Sequence, residues 1–413
     1  MKKFFFSCTL ILWGCLFVLG QLGRVDLTSV FQLNFSVAFY FYEVVIVIHL
    51  FLMLLFYPLF FFNLGKNFFT LPFDWKKFPQ INFLRFFLFI ILISWLFAWF
   101  NQSWSLVALL YFLRFLSYLI FVLSYFFLKK YLFFKDTRNK VLLFFITNLL
   151  NFILLLFLFF SFGQIIFFPD SRIFFILGFD NHYYRLISSL IDPNLTGLVL
   201  IIGFFHFLDQ KNRFFNYRRL KKYLFYFILF LFFLALVLTF SRSSLLAFFF
   251  GWGFFLFRRK KRAIKFFIFG FFILLSVSFF FQRFGGEGVN LLRTSTIKIR
   301  IIDNLLLFKK LKFINYFIGR GFFIPFPENF ASKSFFTYFR NSFGDNLFFS
   351  LINFGGFGAV GLFLFFYGDL FFRFKNTIVK QSLLIAFIIH AQFLNSFFSP
   401  FIFLLFLLVI FDS

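Results

Sequence analysis

The chain has 413 residues, of which 62% are hydrophobic and only 13% are charged. This composition and a mean hydropathy of +0.95 exclude a string of soluble domains, in which roughly 25% of residues are charged. The formal net charge of +27 would suggest a nucleic-acid partner for a soluble protein, but here most cations fall between apolar runs and act as topology signals. We therefore predict an all-α polytopic membrane protein, a single integral membrane domain over 1–413, with no nucleic-acid partner.

Twelve apolar runs approach the roughly 17–25 residues needed to cross a bilayer. In chain order they are 4–20, 37–62, 83–100, 104–128, 141–162, 186–208, 223–240, 243–257, 265–281, 346–368, 381–397 and 400–411. We expect the first run to be a retained helix rather than a cleaved signal peptide. Its Cys8 and Cys15 are too far apart on one helix for a disulfide, and we expect them to be core residues.

Lys and Arg residues are concentrated at alternate connections. With a cytoplasmic N-terminus, most of the 41 cations lie inside, and the short outer connections carry few: Arg24, Arg172, Arg185 and Arg242. This asymmetry predicts that both termini are cytoplasmic. The segment 282–346 then forms one large external loop, periplasmic or extracellular, between helices 9 and 10, because long loops are translocated largely regardless of charge.

Within that loop, apolar residues recur at helical spacing with charged residues between them: Ile297, Ile301, Leu305, Phe308 and Leu311. The pattern predicts an amphipathic helix lying on the outer membrane interface. The Ile-Gly-Arg-Gly sequence at 318–321 ends this helix, and Pro325 and Pro327 favour an extended stretch after it.

The chain has no Gly-rich phosphate loop and no Cys/His metal set, so we predict neither a metal nor a cofactor. Chemistry is more plausible at Arg and Asp residues near the outer ends of the runs. Arg242 lies in a tight turn, where it is either an interfacial anchor or a planar, bidentate fork for phosphate oxygens.

Two Asp residues each allow two interpretations. Asp192, before Pro193 and Asn194, indicates a helix break that is either a capped kink or part of a polar cavity. Asp345, before Asn346, is either an ordinary helix cap or a general base that takes a proton from a hydroxyl nucleophile.

Several of these motifs follow one another in an order that resembles the O-antigen ligase and O-antigen polymerase superfamily, over roughly residues 180–365. The motifs are Arg185-Leu186 with Asp192-Pro193-Asn194 and Gly197, Thr239–Ser243, Ile318–Gly321, and Asn341–Asn346 with Gly355 and Gly358. The resemblance implies glycan transfer from an undecaprenyl-diphosphate donor to a sugar hydroxyl, at the outer face of a bacterial cytoplasmic (inner) membrane. Ligases typically have His where this chain has Asp345, which is more like the polymerases.

We therefore predict a metal-independent glycosyltransferase, a surface-polysaccharide polymerase, whose partners are the lipid-linked glycan, a glycan or lipid-linked acceptor, and the bilayer. The predicted catalytic residues are Asp345 and Arg242, and the predicted substrate-binding residues are Arg185, Asp192, Asn194, Arg300, Arg320 and Asn346. The alternatives are an O-antigen ligase acting on a lipid A-core acceptor, and a flippase for lipid-linked oligosaccharides. A flippase would need ionisable residues near the midplane, for which the candidates are Glu43, His49, Arg114 and His390.

Overall fold

The computed structural model of the protein describes residues 2–26, 38–63, 106–129, 148–171, 184–211, 219–259, 295–322 and 345–411, with 324 and parts of 85–99. Over this described part the chain is about 85% helical with almost no sheet, which confirms the all-α prediction. One short antiparallel pair, β1 (Arg24–Asp26) with β2 (Ala38–Tyr40), was not predicted.

The described helices, numbered in chain order, are α1 (Lys2–Val18), α2 (Phe41–Phe56), α3 (Leu106–Leu128), α4 (Leu149–Phe167), α5 (Pro193–Asp209), α6 (Arg219–Leu238), α7 (Arg242–Arg259), α8 (Ser295–Lys310), α9 (Asn315–Ile318), α10 (Leu347–Arg373), α11 (Ile378–Ala391) and α12 (Pro400–Phe411). Short 3-10 turns lie at Gly20–Gly23, Ser188–Leu190, Phe374–Asn376 and Ser396–Phe398.

Three of the described helices are long and apolar enough to cross a membrane: Ala108–Leu128, Leu149–Phe167 and Leu347–Asn376. Six further apolar helices are 10–17 residues long. This composition is consistent with a membrane protein. The predicted run at 265–281 lies outside the described residues, and the run at 83–100 is described only in part.

Two helix boundaries differ from the predicted runs, because polar residues within the run start or end the helix. The run predicted from 186 becomes helical only at Pro193, after a 3-10 turn and an Ile191 with a left-handed φ of 52°. The run predicted to 397 ends its helix at Ala391 and continues as a turn. Hydropathy averaged over a whole run does not register these breaks, because most residues of each run are apolar.

The amphipathic helix predicted in the large loop is present as α8. Its C-terminal end packs against α10, where Leu311 is buried against Ile352. Ile301 and Leu305, earlier on the same helix, are more than half exposed. An exposed apolar stripe beside lysines is typical of a helix that lies in a membrane interface.

Helix α10 is broken in its first half. Gly355 and Gly356 have non-helical torsions, with φ 67° and ψ −165° at Gly356. The main chain after α9 inserts at this break: the Arg320 amide donates to the Asn353 carbonyl at 2.7 Å, and the next amide donates to the next carbonyl at 3.1 Å. Carbonyls freed by a helix break in an apolar bundle need such donors.

Two glycines allow the backbones of α9 and α10 to come this close. A Cβ on Gly356 would lie 2.2 Å from the carbonyl carbon and oxygen of Phe317, and one on Gly319 would lie 2.3 Å from the Gly355 nitrogen. Close packing of the two helices is therefore present at the break. It does not extend to Gly361, whose Cβ would have nothing within 4 Å.

Polar contacts also tie α1, α2 and α3 together. Arg114 Nε and Glu43 Oε1 form a buried ion pair at 2.8 Å, and the Tyr118 hydroxyl donates to the same carboxylate. His49 contacts Thr9 Oγ1 and Ser124 Oγ, each at 3.0 Å. These ionisable groups therefore have partners on neighbouring helices.

The two cysteines of α1 are exposed, so the prediction that they are core residues is wrong. Leu12, between them, is half exposed, whereas Leu10 and Trp13 are buried. The cysteines share the outward face of an apolar helix, which composition cannot distinguish from its inward face.

We predict that Gly356→Ala destabilises the protein, because only glycine readily adopts its torsions and a methyl group would collide with the α9 main chain. Backbone strain alone costs about 1–3 kcal/mol in this region of torsion space. Gly361→Ala is the matched control on the same helix. Thermal unfolding in detergent should separate the two variants, and equal unfolding temperatures would contradict the interlocked backbones.

Candidate functional site

Hydroxyl and amide side chains gather between the first turns of α5 and α7. Asn194 Oδ1 accepts hydrogen bonds from Ser241 Oγ at 2.7 Å and Ser243 Oγ at 3.3 Å. The Ser244 hydroxyl donates to the Asn194 main-chain oxygen at 3.1 Å. All three serines are buried. We call these four residues, with His390, the serine cluster.

Arg242 is the first residue of α7 and is half-buried. The connection from α6 takes only three residues because Phe240 adopts a left-handed φ of 47°. Ser241 then caps α7, since its Oγ accepts from the Ser244 amide at 3.3 Å. The tight turn predicted around Arg242 is therefore present, and it places Arg242 at the same helix end as the serine cluster.

Arg185 is buried beneath this turn. Its Nε donates to the Thr239 carbonyl at 3.0 Å and an Nη donates to the Phe240 carbonyl at 3.2 Å. Carbonyls at a helix C-terminus lack helical partners, and a cation there is also favoured by the helix dipole. These contacts favour a cap on α6 over the predicted substrate contact.

Asp192 caps α5. Its Oδ1 accepts from the amides of Asn194 at 2.6 Å and Leu195 at 2.9 Å, and Pro193 occupies the first helical position, where no amide proton is needed. Of the two interpretations of this motif, the geometry favours the capped break. Asn194, predicted to bind substrate, instead joins α5 to α7 through the serine cluster.

His390 completes the serine cluster from the end of α11. Its Nε2 lies 3.1 Å from the Asn194 main-chain oxygen and 3.2 Å from Ser244 Oγ. A carbonyl oxygen can only accept, so we infer that Nε2 carries the proton and that Nδ1 accepts from Ser396 Oγ at 3.1 Å. In this tautomer His390 cannot take a proton from Ser244, and the cluster is not a nucleophile–base pair.

A second group, which we call the charged cluster, consists of Arg300, Asp345, Asn346 and Gln392. Arg300 Nε lies 3.1 Å from Asp345 Oδ2, and both side chains keep about a quarter to a third of their surface exposed (31% and 26%). The helix cap is Asn346, whose Oδ1 accepts from the amides of residues 348 and 349. Asp345 therefore lies one position before the cap, and its carboxylate contacts Arg300 instead.

The turn between α11 and α12 joins the two clusters. The Arg300 guanidinium donates to the Phe393 carbonyl at 2.5 Å. The Asn346 amide donates to the main-chain and side-chain oxygens of Gln392 at 2.9 and 3.1 Å. Asn395 donates to Ser350 on α10 at 2.6 Å. The ends of α5, α7, α10 and α11 therefore meet on one side of the bundle.

The main-chain amide of Arg320 is bound at the break in α10, and the Arg320 side chain is half-buried. Of the predicted site residues, the structure brings Arg300 and Asp345 into direct contact. Asn346 and Arg300 both bond to the turn between α11 and α12, and Asn194 and Arg242 lie at neighbouring helix ends.

Sequence reasoning missed Gln392 and Asn395, and it named His390 only as a candidate ionisable residue of a flippase. The run 381–397 was assigned as one span, although its sequence His-Ala-Gln-Phe-Leu-Asn-Ser places four polar residues among seven near its end. Polar residues at that density are costly inside a bilayer unless they bind one another or a neighbour. That density was the available signal for a turn.

The fold and these clusters define a largely helical chain with apolar helices and a polar end built from helix termini. No family model matches the chain, and no curated protein matches it. Among the residues that the structure describes, no group of three or more His, Cys, Asp or Glu side chains could hold a metal ion.

We predict that Arg185→Lys lowers the stability of the protein, because lysine cannot span both carbonyls. Leaving a buried carbonyl without its donor costs about 1–3 kcal/mol. Thermal unfolding should show this loss, with Lys309→Gln, an exposed cation on α8, as the control. Unchanged stability would contradict the capping role of Arg185 and would favour the predicted role in substrate binding.

Proposed function

We propose that the protein is a membrane glycosyltransferase that moves glycan from an undecaprenyl-diphosphate donor to a sugar hydroxyl, and that it acts as a surface-polysaccharide polymerase. The observation that carries the proposal is the Arg300–Asp345 pair, partly exposed at the polar end of an apolar bundle. It puts a cation suited to phosphate oxygens beside a carboxylate suited to a hydroxyl proton. The sequence motifs that resemble the O-antigen superfamily agree with this assignment.

The proposed topology has twelve spans, both termini in the cytoplasm and the 282–346 loop outside a bacterial inner membrane. The alternating directions of α5, α6, α7, α10 and α11 support this topology. The beginnings of α5, α7 and α10 and the ends of α6 and α11 share one end of the bundle. In the proposed orientation, this is the outer end, where the head group of a lipid-linked donor lies.

An apolar groove supports a prenyl-chain donor. It has a volume of about 480 Å³, lies between α7 and α11, and begins at Leu246, one helical turn from Arg242. Its walls include Phe249, Phe254 and Ile385. In our proposal the prenyl chain occupies this groove while Arg242, as a planar fork, binds the diphosphate at its end.

Arg300 and Asp345 then have different roles in the reaction. The donor diphosphate attracts Arg300, which moves from Asp345 to the phosphate oxygens. Asp345 accepts the proton of the acceptor hydroxyl as that oxygen bonds to the anomeric carbon. The bond from this carbon to the diphosphate breaks, and undecaprenyl diphosphate leaves with the electron pair, stabilised by Arg242 and Arg300.

A ligase acting on a lipid A-core acceptor would use the same donor and the same polar end, so it remains the nearest alternative. A flippase is less favoured by the geometry. Two of its candidate ionisable residues, Glu43 and Arg114, neutralise each other in a buried pair, and His390 is a cross-link between helices.

The proposed topology predicts opposite labelling of two exposed lysines, Lys309 on α8 and Lys375 after α10. Each is replaced by Cys in a background with Cys8→Ser and Cys15→Ser, because both natural thiols are exposed. In whole cells, an impermeant maleimide should label position 309 only, and position 375 should react after membrane rupture. Labelling of both positions in intact cells would contradict the topology.

We predict that Asp345→Asn lowers the transfer rate about 10²–10⁴-fold, the usual contribution of a general base, because an amide cannot accept the proton. Stability should change little, since exposed ion pairs contribute about 0–1 kcal/mol.

The matched control is Asp369→Asn, which breaks a comparable Asp–Arg pair with Arg373 elsewhere on α10. It should transfer glycan at the normal rate. If Asp345→Asn transfers as fast as this control, the base lies elsewhere.

For Arg242→Lys we expect loss of most activity in a protein that still folds, because lysine keeps the charge but not the planar fork. Transfer should be measured on membranes matched for protein content, with Arg258→Lys at the other end of α7 as the control. Full activity would reduce Arg242 to an interfacial anchor.

Deletion of the gene and analysis of the lipid-linked glycans separate the candidate functions. Loss of a polymerase leaves short, single-unit glycans on their acceptor. Loss of a ligase leaves long glycans on the undecaprenyl carrier, and loss of a flippase leaves the glycan in the cytoplasmic leaflet. Unchanged chain length would overturn the polymerase proposal.

A further inference from the structure

A second groove lies at the end of the bundle remote from the serine cluster. It has a volume of about 330 Å³ and is enclosed by the end of α5, the beginning of α6 and the end of α7. Of its eleven lining residues, nine are apolar or aromatic, and the two charged ones, Lys211 and Arg259, are both cations.

The groove has an apolar interior and opens to the side of the bundle. Phe204, Leu208 and Phe225 are buried and form its interior, whereas Tyr226 and Phe230 on α6 are more than half exposed. Two exposed aromatic residues one helical turn apart on an apolar helix face the surrounding lipid in a bundle of this composition. An acyl chain can therefore reach the interior from the bilayer.

The cations lie at the helix ends, where a head group would be. Lys211 follows α5 and Arg259 ends α7, with its guanidinium 4.7 Å from the ring centre of Phe255. Asp209 precedes Lys211 in the chain but does not line the groove. The adjoining stretches 211–222 and 258–265 contain twelve Lys and Arg residues and no acid. The head group that this charge favours is anionic.

We propose that this groove binds an anionic phospholipid, with its phosphate at Lys211 and Arg259 and an acyl chain against the aromatic interior. Basic pockets between membrane helices are a known means of binding such head groups. The site is separate from the proposed glycosyl-transfer end, and its occupancy does not depend on that activity. In the proposed topology it belongs to the cytoplasmic leaflet.

Trp252 lines the groove and supplies a direct reporter. The full-length protein in mixed micelles is titrated with phosphatidylglycerol brominated on its acyl chains, and tryptophan quenching is compared with that by brominated phosphatidylcholine. The Trp252→Phe protein identifies the part of the signal that comes from the groove. We expect phosphatidylglycerol to quench Trp252 at several-fold lower concentration than phosphatidylcholine.

The double variant Lys211→Gln with Arg259→Gln should need roughly 5–30-fold more phosphatidylglycerol for half-quenching, given about 1 kcal/mol per cation at an anionic surface. Arg258→Gln is the matched control, since Arg258 is adjacent in sequence but does not line the groove. The charge-conserving pair Lys211→Arg with Arg259→Lys should bind like the natural protein, which separates a charge effect from misfolding.

Equal quenching by the two lipids, or equal affinity of the double-Gln variant, would overturn the proposal. Competition by inorganic phosphate at millimolar concentration would also overturn it, because it would show a site for a free anion rather than for a lipid. A measured loss of glycosyl transfer has no bearing on these outcomes.

Discussion

The need to satisfy polar groups at the ends of apolar helices organises this protein. In a low-dielectric bundle a buried backbone carbonyl or amide without a partner is costly. The turn between α11 and α12 meets much of this need at one end of the bundle: His390 bonds to α5 and α7, Gln392 to the cap of α10, and the Phe393 carbonyl to Arg300 on α8. The turn between α11 and α12, which the sequence shows only as the end of an apolar run, thus positions the Arg300–Asp345 pair.

The same requirement gives chemically identical side chains different roles. Arg185 donates to two carbonyls under the α6–α7 turn, and Arg114 forms an ion pair with a buried carboxylate. Arg300 pairs with Asp345, and both side chains are only partly buried. In the proposed function, the exposure of each arginine and its existing contacts therefore decide which arginine binds the diphosphate.

Much of the fold follows from sequence pattern. Apolar runs identify most described helices, and helical spacing identifies α8, because both signals are local. The break in α10 was visible only as a glycine-rich stretch, since Gly356 is required by its contact with Phe317, which lies far away in the chain. The β1–β2 pair was missed because three-residue strands leave almost no periodic signal.

The candidate site was also predicted only in part, because its contacts join residues that are far apart in the chain. Asp345 and Asn346 were recognised as a pair, but their roles could not be separated, because either residue type can cap a helix. The structure assigns the cap to Asn346 and a partner, Arg300, to Asp345. Arg300 is 45 positions earlier in the chain, and no local pattern connects the two.

Glycosyl transfer by the purified protein is the most direct test of the proposed function. The protein is reconstituted in vesicles with an undecaprenyl-diphosphate-linked oligosaccharide and EDTA, and the products are analysed by mass spectrometry. Our account predicts a ladder of extended glycans on the carrier, with one undecaprenyl diphosphate released for each linkage formed. Movement of an unchanged oligosaccharide between leaflets, with no new glycosidic linkage, would contradict it.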